Sequence, residues 1–272
     1  MIVIIYIFYD ENMHLSRTGK SYYKYINNYL HNTGFAYVVV KQIGSKSKTA
    51  ALYICKGKIG IGRIFKFALK QYKDRPHRLD VILSIKLSAL SLKEINPHFN
   101  VVYNLHNNCL LSALAVGDLS TFMSVYVRCD VMKNCLQQVI LSIFSFHRHT
   151  EMMHNDCHHG NFIYHRIPKG GFFWYQINGK DMYIENMGYQ WMINDFDMAT
   201  EGSNYRQDYL TGIEAFQKWK NSKKLAKIVD EIVTFMQNSS QDNIFYDIMK
   251  SSSLYQGQNK PNKIVNKFPY IL

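Results

Sequence analysis

The sequence lacks the usual marks of a secreted or membrane-spanning protein. Its apolar N-terminal stretch, MIVIIYIFY, has nine residues, whereas a membrane-spanning helix needs roughly 20. The stretch also lacks the basic start of a signal peptide, so we expect a strand there. The five cysteines are odd in number and form no Cys-x-x-Cys pair. This favours reduced, mostly buried thiols and an intracellular protein without a membrane partner.

Acidic residues are scarce. The chain has 20 Asp and Glu against 32 Lys and Arg, which gives a formal net charge of +12. Such a balance favours polyanionic partners, namely nucleotides, phosphorylated substrates or nucleic acid. The net charge does not choose among the three. No run of five Lys or Arg marks a nucleic-acid-binding arm, so the charge is spread out along the chain, and nucleic acid is a disfavoured partner that the charge does not exclude. Apolar residues make up 47% of the 272 residues, enough for one large domain or two lobes.

The periodicity of apolar residues predicts an α+β protein. FAYVVVKQIG, AALYICKGK and RIFKFALKQY indicate strands, and RLDVILSIKLSALSLKEI indicates a helix. Two short strands follow, then a helix start with Asp118 as N-cap, and then the clearest helix, MKNCLQQVILSIFSFH. Four more strands precede a tail with one helical stretch, GIEAFQKWKNSKKLAKIVDEIVTFMQ. The order suits two lobes.

A dense polar run, HNDCHHGN at 154–161, carries the candidate chemistry. A zinc site would use His154, Cys157, His158 and His159. Zinc usually takes four ligands at regular spacings, and no second ligand pair or His-Glu-x-x-His follows. The zinc interpretation is therefore disfavoured.

Acid–base chemistry at a magnesium site explains the run better. Asp156 precedes Asn161 by five residues, and Asp195 ends a later apolar strand in WMINDFD. Two carboxylates and an amide are hard oxygen donors of the kind that Mg²⁺ uses beside phosphate. In such a site Asp156 would orient the proton of an attacking hydroxyl.

These motifs resemble a known family. HNDCHHGN followed by NDFD resembles the catalytic loop and metal-binding segment of the protein-kinase-like superfamily. The tract from Gly160 to Asp197 and the ending NKFPYIL resemble the serine/threonine kinases of large DNA viruses, which carry a long β insertion between the two motifs. The resemblance covers about residues 35–215 and the last few.

The resemblance implies a two-lobed kinase fold. Residues 35–114 would form a β-rich N-lobe, 115–272 a mainly helical C-lobe with the β insertion, and 1–34 an N-terminal extension. It further implies that ATP binds with Mg²⁺ between the lobes and that a serine or threonine hydroxyl of a protein accepts the γ-phosphoryl. For a viral protein it implies the host cytoplasm or the virion as location.

The resemblance also assigns roles to single residues. Asp156 is similar to the catalytic base and His154 to the structural histidine of its loop, while Asn161 and Asp195 match the metal ligands. Residues similar to ATP-contacting positions are Lys70 of FALK, the Gly-rich-loop residues Gly44, Ser45 and Lys46, and Asp80, the best candidate to pair with Lys70. By its position alone, Asp80 is favoured as a helix N-terminal charge rather than an ion-pair partner.

Some residues depart from the family pattern and leave alternatives open. Lys46 and Thr49 stand where the phosphate loop has glycines, and Asp197 replaces the glycine of the metal motif, which favours a pseudokinase that acts as a binding module. His158 is the residue found in aminoglycoside and choline kinases, and no Ala-Pro-Glu follows the metal motif. A small-molecule acceptor therefore remains open, as does a basic nucleic-acid-binding protein.

Overall fold

The computed structural model describes residues 37–43, 49–59, 63–125, 127–219, 223–238, 244–251, 254–255 and 260–272. The predicted extension at 1–34, its apolar strand and the loop residues Gly44, Ser45 and Lys46 lie outside the described residues. The chain is mixed α+β, with a sheet-rich N-terminal region and a helical C-terminal region. It divides into two compact units. Unit 1 is Met1–Lys93 with Asn100–Ala115, and unit 2 is Glu94–Phe99 with Val116–Leu272.

Unit 1 contains an antiparallel sheet of five strands in the order β1-β2-β3-β5-β4. The strands are β1 (Tyr37–Ile43), β2 (Ala50–Ile59), β3 (Arg63–Tyr72), β4 (Val102–His106) and β5 (Cys109–Ala113). Helix α1 (Arg78–Leu92) lies between β3 and β4 in the chain. Val81 of α1 belongs to a buried apolar cluster with residues of the sheet. The predicted strands and helix of this region are confirmed.

The buried face of α1 differs from the predicted stripe, which included Leu79, Ile82, Leu83, Leu87 and Leu90. Ile82 is 48% exposed, whereas the polar residues Asp80, Ser84 and Ser88 are buried. Polar side chains can occupy a buried face when they are hydrogen-bonded. Ser88 Oγ accepts the N–H of Val102 at 2.8 Å, and Asp80 has the partners described below. Apolar periodicity therefore placed Leu83 and Leu87 correctly on the buried face but missed its polar residues and wrongly included Ile82.

Unit 2 begins with two helices that the sequence predicts. The N-cap of α2 (Leu119–Met123) is Asp118, whose carboxylate accepts the N–H of Thr121 at 2.8 Å. Helix α3 (Cys129–Thr150) follows. The predicted stripe on α3 is buried at Met132, Leu136, Val139, Ile140 and Ile143, while the half-buried Phe144 stacks on Phe245.

The strands of unit 2 form three small sheets. In one, β11 (Tyr189–Ile193), β8 (Phe162–Arg166) and β6 (Gly117–Asp118) are neighbours. The second contains β10 (Lys180–Glu185), β9 (Phe172–Ile177) and the C-terminal β13 (Tyr270–Ile271), and the third pairs β7 (Met152–Met153) with β12 (Thr200–Glu201). The four predicted strands β8 to β11 are confirmed, and they lie in the chain between Asn161 and Asp195.

The tail contains three helices, and the stretch predicted as one helix, GIEAFQKWKNSKKLAKIVDEIVTFMQ, is divided between the first two of them, so that prediction is wrong. Helix α4 (Tyr205–Lys218) ends before the extended residue Trp219, and α5 (Lys223–Asn238) and α6 (Ile244–Ser251) follow. At about 100° per residue, the stripe from Leu225 is rotated by about 120° from the stripe containing Ile213. A single straight helix could not bury both stripes in one direction.

Two properties of the chain bear on its environment. All five cysteines are free thiols, and four of them are buried. Among the described residues, no helix has the length and apolarity needed to cross a membrane.

Candidate functional site

The polar run at 154–161 is organised around the buried imidazole of His154, which is 0% exposed. The ring packs edge-on against Phe146 and Phe196. Its Nδ1 accepts the N–H of Asp156 at 3.3 Å, and its Nε2 donates to the carbonyl oxygen of Asn194 at 3.2 Å. Burial lowers the pKa of His154, which favours the neutral imidazole in these two hydrogen bonds.

A second buried support is Asp208 of α4, a residue that the sequence analysis missed. Its carboxylate accepts the N–H groups of His154 at 2.7 Å and Asn155 at 2.8 Å, and it accepts from Nε2 of His147 at 2.8 Å. Burial alone would raise the pKa of Asp208, but these hydrogen bonds hold it below its ordinary value. Burial lowers the pKa of His147 against the pull of Asp208, so a neutral imidazole donates to a carboxylate.

The sequence did carry a signal for Asp208. It lies on the buried stripe of α4 that includes Tyr209, Gly212, Ile213 and Phe216. A carboxylate on an otherwise apolar stripe must find hydrogen-bond donors in the interior.

Asp156 and Asn161 are joined directly within the loop. The amide nitrogen of Asn161 donates to the backbone oxygen of Asp156 at 2.8 Å and to its Oδ2 at 2.9 Å. These two bonds fix the orientation of the amide, so its Oδ1 points away from Asp156. The Asp156 side chain is 36% exposed. One carboxylate is thus held at a set angle and remains accessible to solvent.

His158 lies beside the same carboxylate. Its Nε2 is 3.6 Å from Asp156 Oδ2, and its Nδ1 accepts the N–H of Gly160 at 2.9 Å. Because Nδ1 is an acceptor, the ring proton lies on Nε2 and faces Asp156. A Cβ at position 160 would lie 2.8 Å from His158 Cε1, so glycine allows this close approach.

The pairing of β8 with β11 brings the backbone just before Asp195 next to Asn161. In the register of β8 and β11, Ile193 is opposite Phe162. The pairing continues one step further, since the N–H of Asn194 donates to the carbonyl oxygen of Asn161 at 2.9 Å. Asp195 follows directly, with φ at +66°, a conformation that Asp tolerates better than most residues. Asp195 and Asp156 both act to raise the pKa of His154 against burial, which agrees with their closeness to it.

Two of the candidate residues carry oxygen donors of the kind that magnesium uses. Asn161 and Asp195 offer oxygen atoms at the ends of neighbouring strands, and Mg²⁺ typically uses one or two carboxylates and completes its shell with phosphate oxygens and water. Among the residues that the structure describes, no group of three or more His, Cys, Asp and Glu is placed to hold a metal.

The remaining candidate residues lie in unit 1. Lys70 Nζ is 2.6 Å from Asp80 Oδ2, and the same oxygen accepts from the hydroxyl of Tyr72 at 2.6 Å. Asp80 is 1% exposed, and Ser84 Oγ lies 3.4 Å from its other oxygen. Asp80 does lie in the first turn of α1, but it pairs with Lys70, contrary to the preference drawn from the sequence.

The structure thus gathers the candidate residues into two sets. His154, Asp156, His158, Asn161 and Asp195 lie together in unit 2, and Lys70 and Asp80 form a pair in unit 1. Gly44, Ser45 and Lys46 belong to the part of the chain that is not described.

Comparison of this chain with protein-family models gives no match, and neither does comparison with curated proteins.

Proposed function

We propose that this protein is an ATP-dependent phosphotransferase with a two-lobed protein-kinase-like fold. It moves the γ-phosphoryl of ATP to a hydroxyl, with serine or threonine of a protein as the first candidate acceptor. The observation that supports this most is the arrangement of Asp156, Asn161 and Asp195. Two hydrogen bonds join Asp156 to Asn161, and the N–H of Asn194, the residue before Asp195, donates to the carbonyl oxygen of Asn161.

Asp156 serves to orient the acceptor hydroxyl and accept its proton. Its carboxylate is held by Asn161 and is partly open to solvent, so an acceptor can approach it. The backbone of the loop is held in turn by Asp208 and His154. Such a rigid mount matters because phosphoryl transfer depends mainly on positioning and electrostatic stabilisation.

Asn161 Oδ1 and the Asp195 carboxylate would hold magnesium. When bound, the ion neutralises charge on the phosphate oxygens and orients them for in-line transfer. In unit 1, Asp80 and Tyr72 fix the position of the ammonium group of Lys70, the residue that the family resemblance assigns to the phosphates of ATP. The Asp195 carboxylate would thus bind the ion, and the Asp156 carboxylate would face the acceptor hydroxyl.

One observation favours a small-molecule acceptor as the second candidate. The Nε2–H of His158 faces Asp156, and a histidine at this position is what aminoglycoside and choline kinases have. It would place a second polar group beside the acceptor hydroxyl.

The test is phosphoryl transfer from γ-labelled ATP in the presence of magnesium. Basic and acidic generic proteins serve as acceptors in one arm, and aminoglycosides and choline in another. We expect label transfer by the native protein and none by Asp156→Asn, which keeps the shape of the side chain but cannot take up the proton. Asp230→Ala, a loss of charge at an exposed position of α5, should transfer normally.

Both possible failures are informative. Equal transfer by the native protein and Asp156→Asn would contradict the assigned role of Asp156. Binding of magnesium–ATP by the native protein without transfer to any acceptor would favour the pseudokinase alternative, which Asp197 first suggested.

A further inference from the structure

The positive charge of the chain is concentrated in unit 1. Residues 37–93 and 100–115 contain thirteen Lys and Arg against two Asp. Residues 94–99 and 116–272 contain sixteen of each sign. Of the two Asp at 37–93 and 100–115, Asp80 is buried against Lys70. Unit 2 is neutral overall, so the net charge of +12 belongs to the smaller unit.

Two lysines of unit 1 lie directly opposite each other. In the antiparallel register of β2 and β3, Lys56 pairs with Lys66, and both are exposed. The two ammonium groups therefore add positive charge to the same face of the sheet, and charge of one sign on a surface attracts ligands of the opposite sign.

The exposed side of α1 is also basic. Arg78, Lys86 and Lys93 are exposed along this helix and its C-cap, with the exposed Ile82 between the first two. The only acid of α1 is Asp80, which lies on the buried face. At 1.5 Å per residue the row from Arg78 to Lys93 is about 22 Å long.

The helix and the lysine pair lie on the same side of the sheet. Lys66 and Lys70 point to the same face because they are separated by an even number of residues in β3. Lys70 on that face contacts Asp80 of α1, and Lys66 lies about 13 Å further along the strand. Positive charge thus extends from the helix over the adjoining part of the sheet.

We propose that unit 1 binds nucleic acid through its phosphate backbone. The site is the basic surface, which we define as Lys56, Lys66, Arg78, Lys86 and Lys93. A row about 22 Å long runs beside roughly six phosphates of one strand at about 3.4 Å each. A long surface of one sign suits an extended polyanion better than a short acidic peptide, whose charges would engage only part of it. The proposal does not depend on phosphoryl transfer, since it uses neither Lys70 nor the residues of unit 2.

The test is fluorescence anisotropy with labelled duplex DNA and single-stranded RNA of equal length, without nucleotide. The titrations run at KCl concentrations from about 50 to 200 mM. We expect Arg78→Ala/Lys86→Ala/Lys93→Ala to weaken binding by about tenfold or more and to reduce the salt slope by about 3. Lys56→Ala/Lys66→Ala should reduce the slope by about 2. The two probes show whether duplex or single-stranded phosphates are preferred.

The matched control is Lys223→Ala/Lys224→Ala/Lys227→Ala on α5, which removes three exposed positive charges from unit 2. It should change the affinity by less than about twofold if binding is confined to the basic surface. Circular dichroism checks that each variant keeps its fold. An equal loss in the control would overturn the proposal, as would the absence of binding to both probes. Stronger binding to poly-glutamate than to either nucleic acid at the same salt would instead assign the surface to an acidic protein partner.

Discussion

At the scale of single residues, the candidate site depends on buried polar groups whose hydrogen bonds are satisfied. Asp208 accepts two successive backbone N–H groups and one imidazole N–H. His154 accepts one N–H and donates to one carbonyl. Each group is buried, so each hydrogen bond replaces one that water would otherwise make. The loop that carries Asp156 is therefore fixed by hydrogen bonds to Asp208 of α4, which is itself bonded to His147 of α3.

Removing the Asp208 carboxylate should loosen this loop. Asp208→Ala leaves the buried donors of His154 and His147, and the N–H of Asn155, without their acceptor, and we expect it to lower the free energy of unfolding by about 3 kcal/mol. Asp208→Asn keeps one acceptor oxygen and should lose less. Urea denaturation measures both, with Asp230→Ala as the exposed control. If Asp208→Ala unfolds like Asp230→Ala, the carboxylate does not hold the loop.

His98 makes the stability of the protein depend on pH. Its Nδ1 donates to the carbonyl of Trp191, and its Nε2 accepts from the hydroxyl of Tyr175. Burial lowers the pKa of His98 from 6.5 to about 4, against the Trp191 hydrogen bond. The unfolded chain takes up a proton near pH 6.5, whereas the folded chain does so only near pH 4. The contribution is therefore present above pH 6.5 and is lost as pH falls towards 4.

The expected size of this effect is roughly 2 kcal/mol between pH 7 and pH 5. His98→Gln keeps a donor and an acceptor but cannot titrate, so its unfolding free energy should change less over that interval. Urea denaturation at the two pH values gives the comparison. Equal changes in His98→Gln and the native protein would show that His98 is not the titrating group.

At the scale of elements, α1 is held to its sheet by a buried ion pair. Asp80 on the helix bonds to Lys70 and Tyr72 of β3, and Ser88 bonds to the backbone of β4. The exposed face of the same helix carries cations. The buried face of α1 thus fixes Lys70, the lysine that we assign to the phosphates, whereas the exposed face carries cations into solvent.

Asp80→Ala should destabilise the protein because it leaves Lys70 and the hydroxyl of Tyr72 without their shared acceptor. We expect a loss of about 3 kcal/mol in unfolding free energy. Asp74→Ala removes an exposed acid from the turn before α1 and should change stability by less than about 0.5 kcal/mol. Chemical denaturation measures the unfolding free energy of both variants. Equal losses would show that the Lys70–Asp80 pair does not stabilise the protein.

The elements were predictable where one periodicity dominates. The stripe on α3 and the strands β2, β3 and β8 to β11 follow from local patterns, because tertiary packing there agrees with the pattern. The buried face of α1 was not predictable, since Asp80 and Ser88 are buried only through partners on other strands. The tail was mistaken for one helix because the change of face between Ile213 and Leu225 becomes visible only when the two stripes are aligned.

At the scale of the whole molecule, charge and candidate chemistry are divided between the units. Unit 1 holds the net positive charge, and unit 2 is neutral and holds the two carboxylates and the amide. The sequence shows that Asp156 and Asn161 share one loop and that Asp195 follows a later strand, and the pairing of β8 with β11 brings the start of one strand beside the end of the other. Asp208 and His147 escaped prediction, since their hydrogen bonds join residues about 60 positions apart.

The most direct test of the phosphotransferase proposal is a thermal-shift titration of the native protein and Asp195→Ala with ATP at increasing magnesium. A ligand at 100 times its Kd stabilises the folded state by about 2.7 kcal/mol, which raises Tm measurably. We predict that ATP raises the Tm of the native protein and of Asp230→Ala only when magnesium is present, and that Asp195→Ala shows no such rise. A full magnesium-dependent rise in Asp195→Ala would contradict the account.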